Sequence, residues 1–167
     1  FCVIIVKFRA QLKDALALAA QYDKKIIVEQ AIEGREFECA VLGNDEPQTS
    51  GVGEVLAAAE FYDYDAKYNN SDSRTVIPAD IPEDKLREMQ RIAARIFRAV
   101  DGSGLARVDF FMEKDTDKIY FNELNTMPGF TTISMYPMLW EEAGISKTEL
   151  MDRLIELALA RDTGIRG

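Results

Sequence analysis

Histidine is absent, and the two cysteines, Cys2 and Cys39, form no CxxC pair. That argues against a structural zinc site. So few cysteines fit a reducing cytoplasm without deciding it. Basic charge is scarce: 20 Lys and Arg stand against 29 Asp and Glu, for a net charge of −9 and a pI near 4.6. A nucleic-acid backbone is therefore an unsuitable partner. The acidic excess is compatible with a metal–nucleotide site, and equally with a solvated surface. The apolar opening, residues 1–6, is too short for a signal h-region or a membrane span and reads as a strand. There is no repeat and no low-complexity tract. What is present, 167 residues of which 47% are apolar, suits one domain with a real core. The first residue is Phe rather than Met, which points to a fragment or a trimmed chain.

Residues 9–22 read as a helix, with Leu12, Ala15, Leu16 and Ala19 on one stripe. A turn at 23–25 leads to a strand at 26–31, a second turn at Glu33-Gly34-Arg35, and a second strand at 36–42. Residues 43–47 form a loop. Short strands are expected around 51–56 and 61–64. Residues 69–79 are polar and turn-rich and read as a mobile loop. Pro82 opens a helix over 82–100, with Glu83 and Asp84 at its positive end and Leu86, Met89, Ile92, Ala93, Ile96 and Phe97 on its buried side. A hairpin follows, then a loop at 125–132, a short helix at 135–142, and a last helix over 146–160. Ser146 caps that helix, with Glu149 three residues on.

The hairpin carries the most information. Centring its turn on Asp115-Thr116-Asp117 sets Asp109 opposite Glu123 and Arg107 opposite Asn125. It also sets Phe111 opposite Phe121, Val108 opposite Leu124, Phe110 opposite Asn122 and Met112 opposite Tyr120. One face is mostly apolar and the other becomes polar away from the turn, which is self-consistent. Facing carboxylates lie roughly 5 Å apart and repel by about 3 kcal/mol at an effective dielectric near 20. Something positive should offset this. Arg107 is one candidate. A divalent cation is the better one, because Asp109, Glu123 and the Asn125 amide offer oxygen donors that suit Mg²⁺. The plain alternative is an exposed face with an incidental Arg–carboxylate pair.

The segments Arg107-Val108-Asp109-Phe110 and Phe121-Asn122-Glu123-Leu124-Asn125-Thr126-Met127-Pro128-Gly129-Phe130-Thr131 resemble the metal-binding signature of D-alanine–D-alanine ligases, of the ATP-grasp superfamily. Phe61-Tyr62-Asp63-Tyr64-Asp65-Ala66-Lys67-Tyr68 resembles that family's loop over the active site. Val28 to Phe37 resembles its adenine-binding strand and turn. The resemblance implies an α/β protein of α+β layout, the C-terminal lobe of ATP-grasp, with an antiparallel sheet and packed helices. It implies that Asp109, Glu123 and Asn125 hold two Mg²⁺ (or Mn²⁺) ions on the ATP phosphates, and that Arg107 stabilises the transferring phosphoryl group. Lys67 would contact the γ-phosphate and Tyr68 would help close the site. Glu29 and the Ile32 backbone would read adenine, and Glu36 the ribose. Gly129 would supply a backbone donor. Ser134 and Met135 would hold the carboxylate of the second D-alanine.

The implied reaction is ATP-dependent joining of two D-alanines through an acyl phosphate, for peptidoglycan precursors in the cytoplasm. Homodimers are common in the family. Members run to about twice this length. The expected N-terminal domain and glycine-rich phosphate loop have no counterpart in residues 1–8, so residues 1–167 read as a partial ATP-grasp domain, poorly active alone. Two rival readings are another carboxylate–amine ligase of the superfamily and a truncated, non-catalytic nucleotide-binding domain.

Overall fold

A computed structural model of the chain describes residues 3–56 and 74–161. They divide into two compact units, residues 3–33 and residues 34–56 with 74–161, each taken by itself. In the first unit a 3-10 turn, Arg9–Gln11, leads into α1, Leu12–Ala19. The Gln11 side-chain oxygen accepts from the Lys7 and Phe8 backbone N–H groups, both at 3.1 Å. These are donors that a helix start leaves open. The helix is shorter than the sequence suggests, because Gln21 and Tyr22 close tight turns onto Leu18 and Ala19. The strands expected at 1–6 and 26–31 do not form among the described residues. An apolar run becomes a strand only where a neighbour completes its hydrogen-bond ladder, and no described strand pairs with these two.

The second unit is built on one antiparallel sheet: β1 (Gly34–Gly43), β2 (Gln48–Leu56), β3 (Arg74–Val76), β4 (Gly104–Glu113) and β5 (Ile119–Asn125), in the order β3-β2-β1-β4-β5. β3 corrects the expectation of a loop over 69–79. Thr75 and Val76 pair with Val55 and Glu54 at the sheet edge, as β-branched residues readily do.

Side chains alternate across the sheet, and each face has its own core. Phe37, Cys39 and Val41 of β1, with Ala106, Val108, Phe110 and Met112 of β4, pack against α2, Glu83–Ala99. That helix buries Met89, Ala93 and Phe97, spaced four apart. Its acids Glu83 and Asp84 lie in the first turn and Arg98 in the last, as the helix dipole favours. On the opposite face, Ala40 and Leu42 meet α3 (Met135–Glu142) and α4 (Lys147–Ala160) through Tyr136, Leu139, Trp140 and Leu150. The Ser146 hydroxyl accepts from the Glu149 N–H at 3.2 Å, so the cap read from the sequence is formed. β1 is covered on both sides, and every residue from Phe37 to Gly43 is buried. Beyond Ala40 the face that carries α3 and α4 turns polar. By strand alternation it holds Glu36 and Glu38 from β1 and Arg107 and Asp109 from β4.

Candidate functional site

Strand register assembles the site. Asp109 of β4 pairs laterally with Glu38 of β1 and with Glu123 of β5, which sets three carboxylates in a row across three strands. One step along, Arg107 pairs with Ala40 and Asn125. The Asp109–Glu123 and Arg107–Asn125 pairs are those expected from the hairpin sequence, and so is Val108–Leu124. Nearer the turn the expected pairs are wrong. Phe110 faces Phe121, Phe111 faces Tyr120 and Met112 faces Ile119, with a register shift between Asp109 and Phe110.

The cause lies in the turn. Glu113 N–H donates to Lys118 O at 2.9 Å, and Asp117 takes a left-handed φ of 52°. The loop therefore spans four residues, 114–117, and sits earlier than the three-residue turn expected. Asn122 is the extra residue of a β-bulge that restores the original register beyond it. The bulge switches which parity of β5 faces the core. Ile119 before it and Leu124 after it both pack on the cluster under α2. Glu123 and Asn125 are left on the face of Asp109.

The electrostatics follow from this crowding. Asp109 is 2% exposed and Glu38 7%. Carboxylates at lateral separations of roughly 5 Å repel by about 3 kcal/mol per pair at an effective dielectric near 20. Arg107 is the offsetting charge. Its Nε donates to Asp109 Oδ1 at 2.7 Å and its Nη2 to Asp109 Oδ2 at 2.8 Å, while Nε also lies 3.0 Å from Glu38 Oε2. Asn125 Nδ2 donates to Glu123 Oε1 at 3.1 Å and reaches Asp109 Oδ2 at 3.4 Å. Burial pushes the Asp109 carboxyl upward and Glu123 adds to this, while Arg107 and Asn125 pull it back without cancelling the rise. For Arg107, burial lowers the pKa. The bond to Asp109 and the fields of Glu38, Asp109 and Glu123 outweigh it, so the guanidinium stays charged.

The donor chemistry fits a hard divalent cation: two carboxylates and an amide, all able to present oxygen on one sheet face. The Asn125 amide turns its nitrogen to the carboxylates, so rotating it end for end would present its oxygen instead. Both Asp109 oxygens are engaged by Arg107. Among the described residues no three His, Cys, Asp or Glu side chains converge as a metal cluster, so the set depends on the amide.

Other expected site residues fall in several places. Glu36 lies two residues from Glu38 on β1, half-buried and on the same face. Ser134 stands at the N-cap of α3, yet its hydroxyl makes no capping bond there. It accepts from Thr131 N–H at 2.9 Å and lies 2.8 Å from the Thr131 hydroxyl. Gly129 packs beside it: a Cβ at 129 would come 2.8 Å from Ser134 Oγ. The Met135 side chain is buried in the core under α3. Phe130 meets Tyr136 with its ring tilted by 44°, centroids 5.5 Å apart, and Tyr136 donates to Val41 O at 3.0 Å, which ties the 126–134 loop to β1. Glu29 and Ile32 belong to the first unit, on a stretch without regular structure, Glu29 exposed and Ile32 half-buried. Lys67 and Tyr68, and the strand expected at 61–64, lie outside the described residues. Glu38 escaped the sequence reading. Its signal was the alternation Glu36, Phe37, Glu38, which puts two acids on one face of a strand.

Comparisons with known proteins show what the chain is similar to. Residues 1–156 match the family described as D-ala D-ala ligase C-terminus. A D-alanine–D-alanine ligase from Acetivibrio thermocellus is 58% identical over 151 residues, which is 90% of this chain and 40% of that protein. A solved D-alanine–D-alanine ligase from Coxiella burnetii superposes with a TM-score of 0.80 at 40% identity, covering 93% of this chain and 40% of that one. The VanG D-Ala:D-Ser ligase from Enterococcus faecalis also gives 0.80, at 39% identity, over 90% of this chain and 43% of that one. The chain spans less than half the length of these relatives.

Proposed function

The chain belongs to the family of D-alanine–D-alanine ligase C-termini, and on that premise we propose that it carries the nucleotide- and magnesium-binding machinery of an ATP-dependent ligase joining two D-alanines through an acyl phosphate. The observation that carries this reading is the Asp109–Glu123 pair with Asn125 beside it and Arg107 across from Asn125. Asp109, Glu123 and Asn125 would hold two Mg²⁺ ions, for which Mn²⁺ is a suitable substitute. When bound, these ions supply neutralisation of phosphate charge.

The remaining work falls to the chain's own groups, mainly as positioning and charge stabilisation. Arg107 spends Nε and Nη2 on carboxylates, and Nη1 makes none of these contacts. Nη1 is the donor for charge developing on the transferring phosphoryl group. Glu36, on the same face, suits the ribose hydroxyls. Glu29 and the Ile32 backbone are assigned to adenine, Lys67 to the γ-phosphate, and Tyr68 to closure of the site. Ser134 offers its hydroxyl, and Met135 its backbone at the start of α3, to an amino-acid carboxylate, with the Gly129 N–H as a further donor.

The product would enter peptidoglycan precursor synthesis, in the ATP-rich cytoplasm. No described helix is long and apolar enough to cross a membrane. The likeness to a D-Ala:D-Ser ligase supports a second reading in which D-serine is the second substrate. Calorimetric titration of Mg–ATP into the chain, beside an Asp109→Ala variant, tests the site. Saturable binding that the variant loses supports the reading, and equal behaviour of the two overturns it. Equilibrium binding of D-alanine against D-serine to the chain, with magnesium and a non-hydrolysable ATP analogue present, separates the two substrates.

A further inference from the structure

We propose that Glu38 is a positioning residue that holds the Arg107 guanidinium so that Asp109 can turn an oxygen to a divalent cation. The inference rests on the metal-site reading above and adds a residue to it. Glu38 lies on β1, directly across from Asp109 on β4. The Arg107 Nε sits between them, 2.7 Å from Asp109 Oδ1 and 3.0 Å from Glu38 Oε2. Asp109 gives both of its oxygens to Arg107. A carboxylate gripped at both oxygens by a guanidinium fork is a poor ligand for a small cation that demands near-ideal geometry. Some of that grip must loosen for Asp109 to serve as a ligand.

The Arg107 side chain is only 20% exposed. Loosening it without another anion at hand would leave a charge that is poorly solvated and poorly paired. Glu38 removes that obstacle, because it already lies within ion-pair distance of the same Nε. A small shift of the guanidinium toward β1 frees Asp109 Oδ1 while Nε keeps a carboxylate. Glu38 is 7% exposed and stands next to Asp109, where a neutral side chain would avoid both desolvation and like-charge repulsion.

A rival account is that Glu38 merely adds negative field, and a double-mutant cycle separates the two. Mn²⁺ binding is followed by electron paramagnetic resonance, in the presence of a non-hydrolysable ATP analogue. The proteins are the unsubstituted chain, Glu38→Gln, Arg107→Met and the double variant. We expect Glu38→Gln to weaken Mn²⁺ binding about tenfold where Arg107 is present, the usual scale for a residue that orients a metal ligand. In the Arg107→Met background the same change should have less than about a twofold effect, because no guanidinium then competes for Asp109. Glu38→Asp, which keeps the charge, should restore part of the loss, and it serves as the test if thermal melting shows that Glu38→Gln does not fold. An equal loss in both backgrounds means Glu38 contributes only its field. No loss where Arg107 is present means it has no part in the site. Either result overturns the proposal while leaving the metal site standing. Absence of saturable Mn²⁺ binding by the unsubstituted chain defeats the metal-site reading itself, and this inference with it.

Discussion

Arg107 grips both carboxylate oxygens of Asp109 from two residues away on the same strand, at 2.7 and 2.8 Å. Residues two apart on a strand share a face, so the contact is built into β4, and β5 and β1 deliver their acids to an existing ion pair. Replacing Asp109 by Ala should remove a central ligand and also strip Arg107 of its bidentate partner. We expect loss of detectable Mg–ATP binding, together with about 2 kcal/mol of stability from the lost charged hydrogen bonds. The stability loss stays moderate because Glu38 remains beside Nε. Urea unfolding measures the second effect. A variant as stable as the parent would mean the pair contributes nothing to the fold.

The bulge at Asn122 makes a sharper prediction. Deleting that residue makes the Phe110–Phe121 and Asp109–Glu123 pairs consecutive in one unbroken ladder. Ile119 and Leu124 then stay on the core side, and Glu123 and Asn125 stay on the face of Asp109. We expect the deletion to keep metal–nucleotide binding, read by the same calorimetric titration. A deletion variant that still folds but loses binding would show that the bulge sets the site through its local twist and not through register alone.

This bulge also marks where the sequence stops being legible. The α2 stripe of Met89, Ala93 and Phe97 follows from helical spacing, which is local, whereas the expected Asp109–Glu123 pair is met only because the bulge at Asn122 offsets the earlier turn. The pairs next to the turn depended on Asp117 adopting a left-handed φ, which the sequence allows but does not require. Glu38 reaches Asp109 only through the lateral pairing of β1 with β4. Those strands are distant in sequence, and no periodicity reports that register. β3 was hidden for the opposite reason. Three residues of an edge strand are specified by their partner on β2 more than by their own composition.

Gly34 opens β1 where that strand runs hard against β4. A Cβ there would come 2.0 Å from the backbone oxygen of Met112 and 3.1 Å from the Glu113 Cα. Both obstacles are backbone, so no side-chain rotation can relieve them. Gly34→Ala should push β1 from β4 at the Gly34–Glu113 end, two residues from Glu36. We expect about 2–3 kcal/mol of destabilisation, typical of forced overpacking, read by chemical denaturation. Amide exchange should rise first in the strand ends around Gly34 and Glu113. Alanine accepted at neutral cost would mean the two strands can part there freely.

Asn44 joins three segments through one amide. Its Oδ1 accepts from the Ser103 hydroxyl at 2.6 Å and the Gly104 N–H at 3.1 Å, and its Nδ2 donates to Leu157 O at 3.0 Å. The link runs from the β1–β2 turn to the start of β4 and to α4. Asn44→Ala leaves backbone groups of Gly104 and Leu157 without these partners, so we expect a loss of about 1–3 kcal/mol. Metal–nucleotide binding should persist, because none of these groups belongs to the acidic row. Simultaneous loss of binding would tie this end of the sheet to the site in a way the contacts do not suggest.

Cys39 lies on the face under α2, fully buried, with Sγ near Ala40 O and Ser50 O at 3.8 and 3.9 Å. Burial pushes its thiol from the ordinary 9.0 up to about 12, against a smaller opposing effect of the Ser50 contact. The folded chain therefore holds this proton at pH values where the unfolded chain has released it. The linkage has a definite sign. The thiol's contribution to stability is intact below about pH 9 and declines as pH rises from there toward 12, by up to about 1.4 kcal/mol per pH unit. A Cys39→Ala variant should be less stable at pH 8, because a buried sulfur is lost and a small cavity remains. It should also lack this slope, so the two unfolding curves should converge as pH rises through 9 and 10. Parallel curves across that range would mean the thiol ionises as readily folded as unfolded. The same burial predicts that iodoacetamide at pH 8 modifies Cys39 only in denaturant, and peptide mass mapping distinguishes it from Cys2.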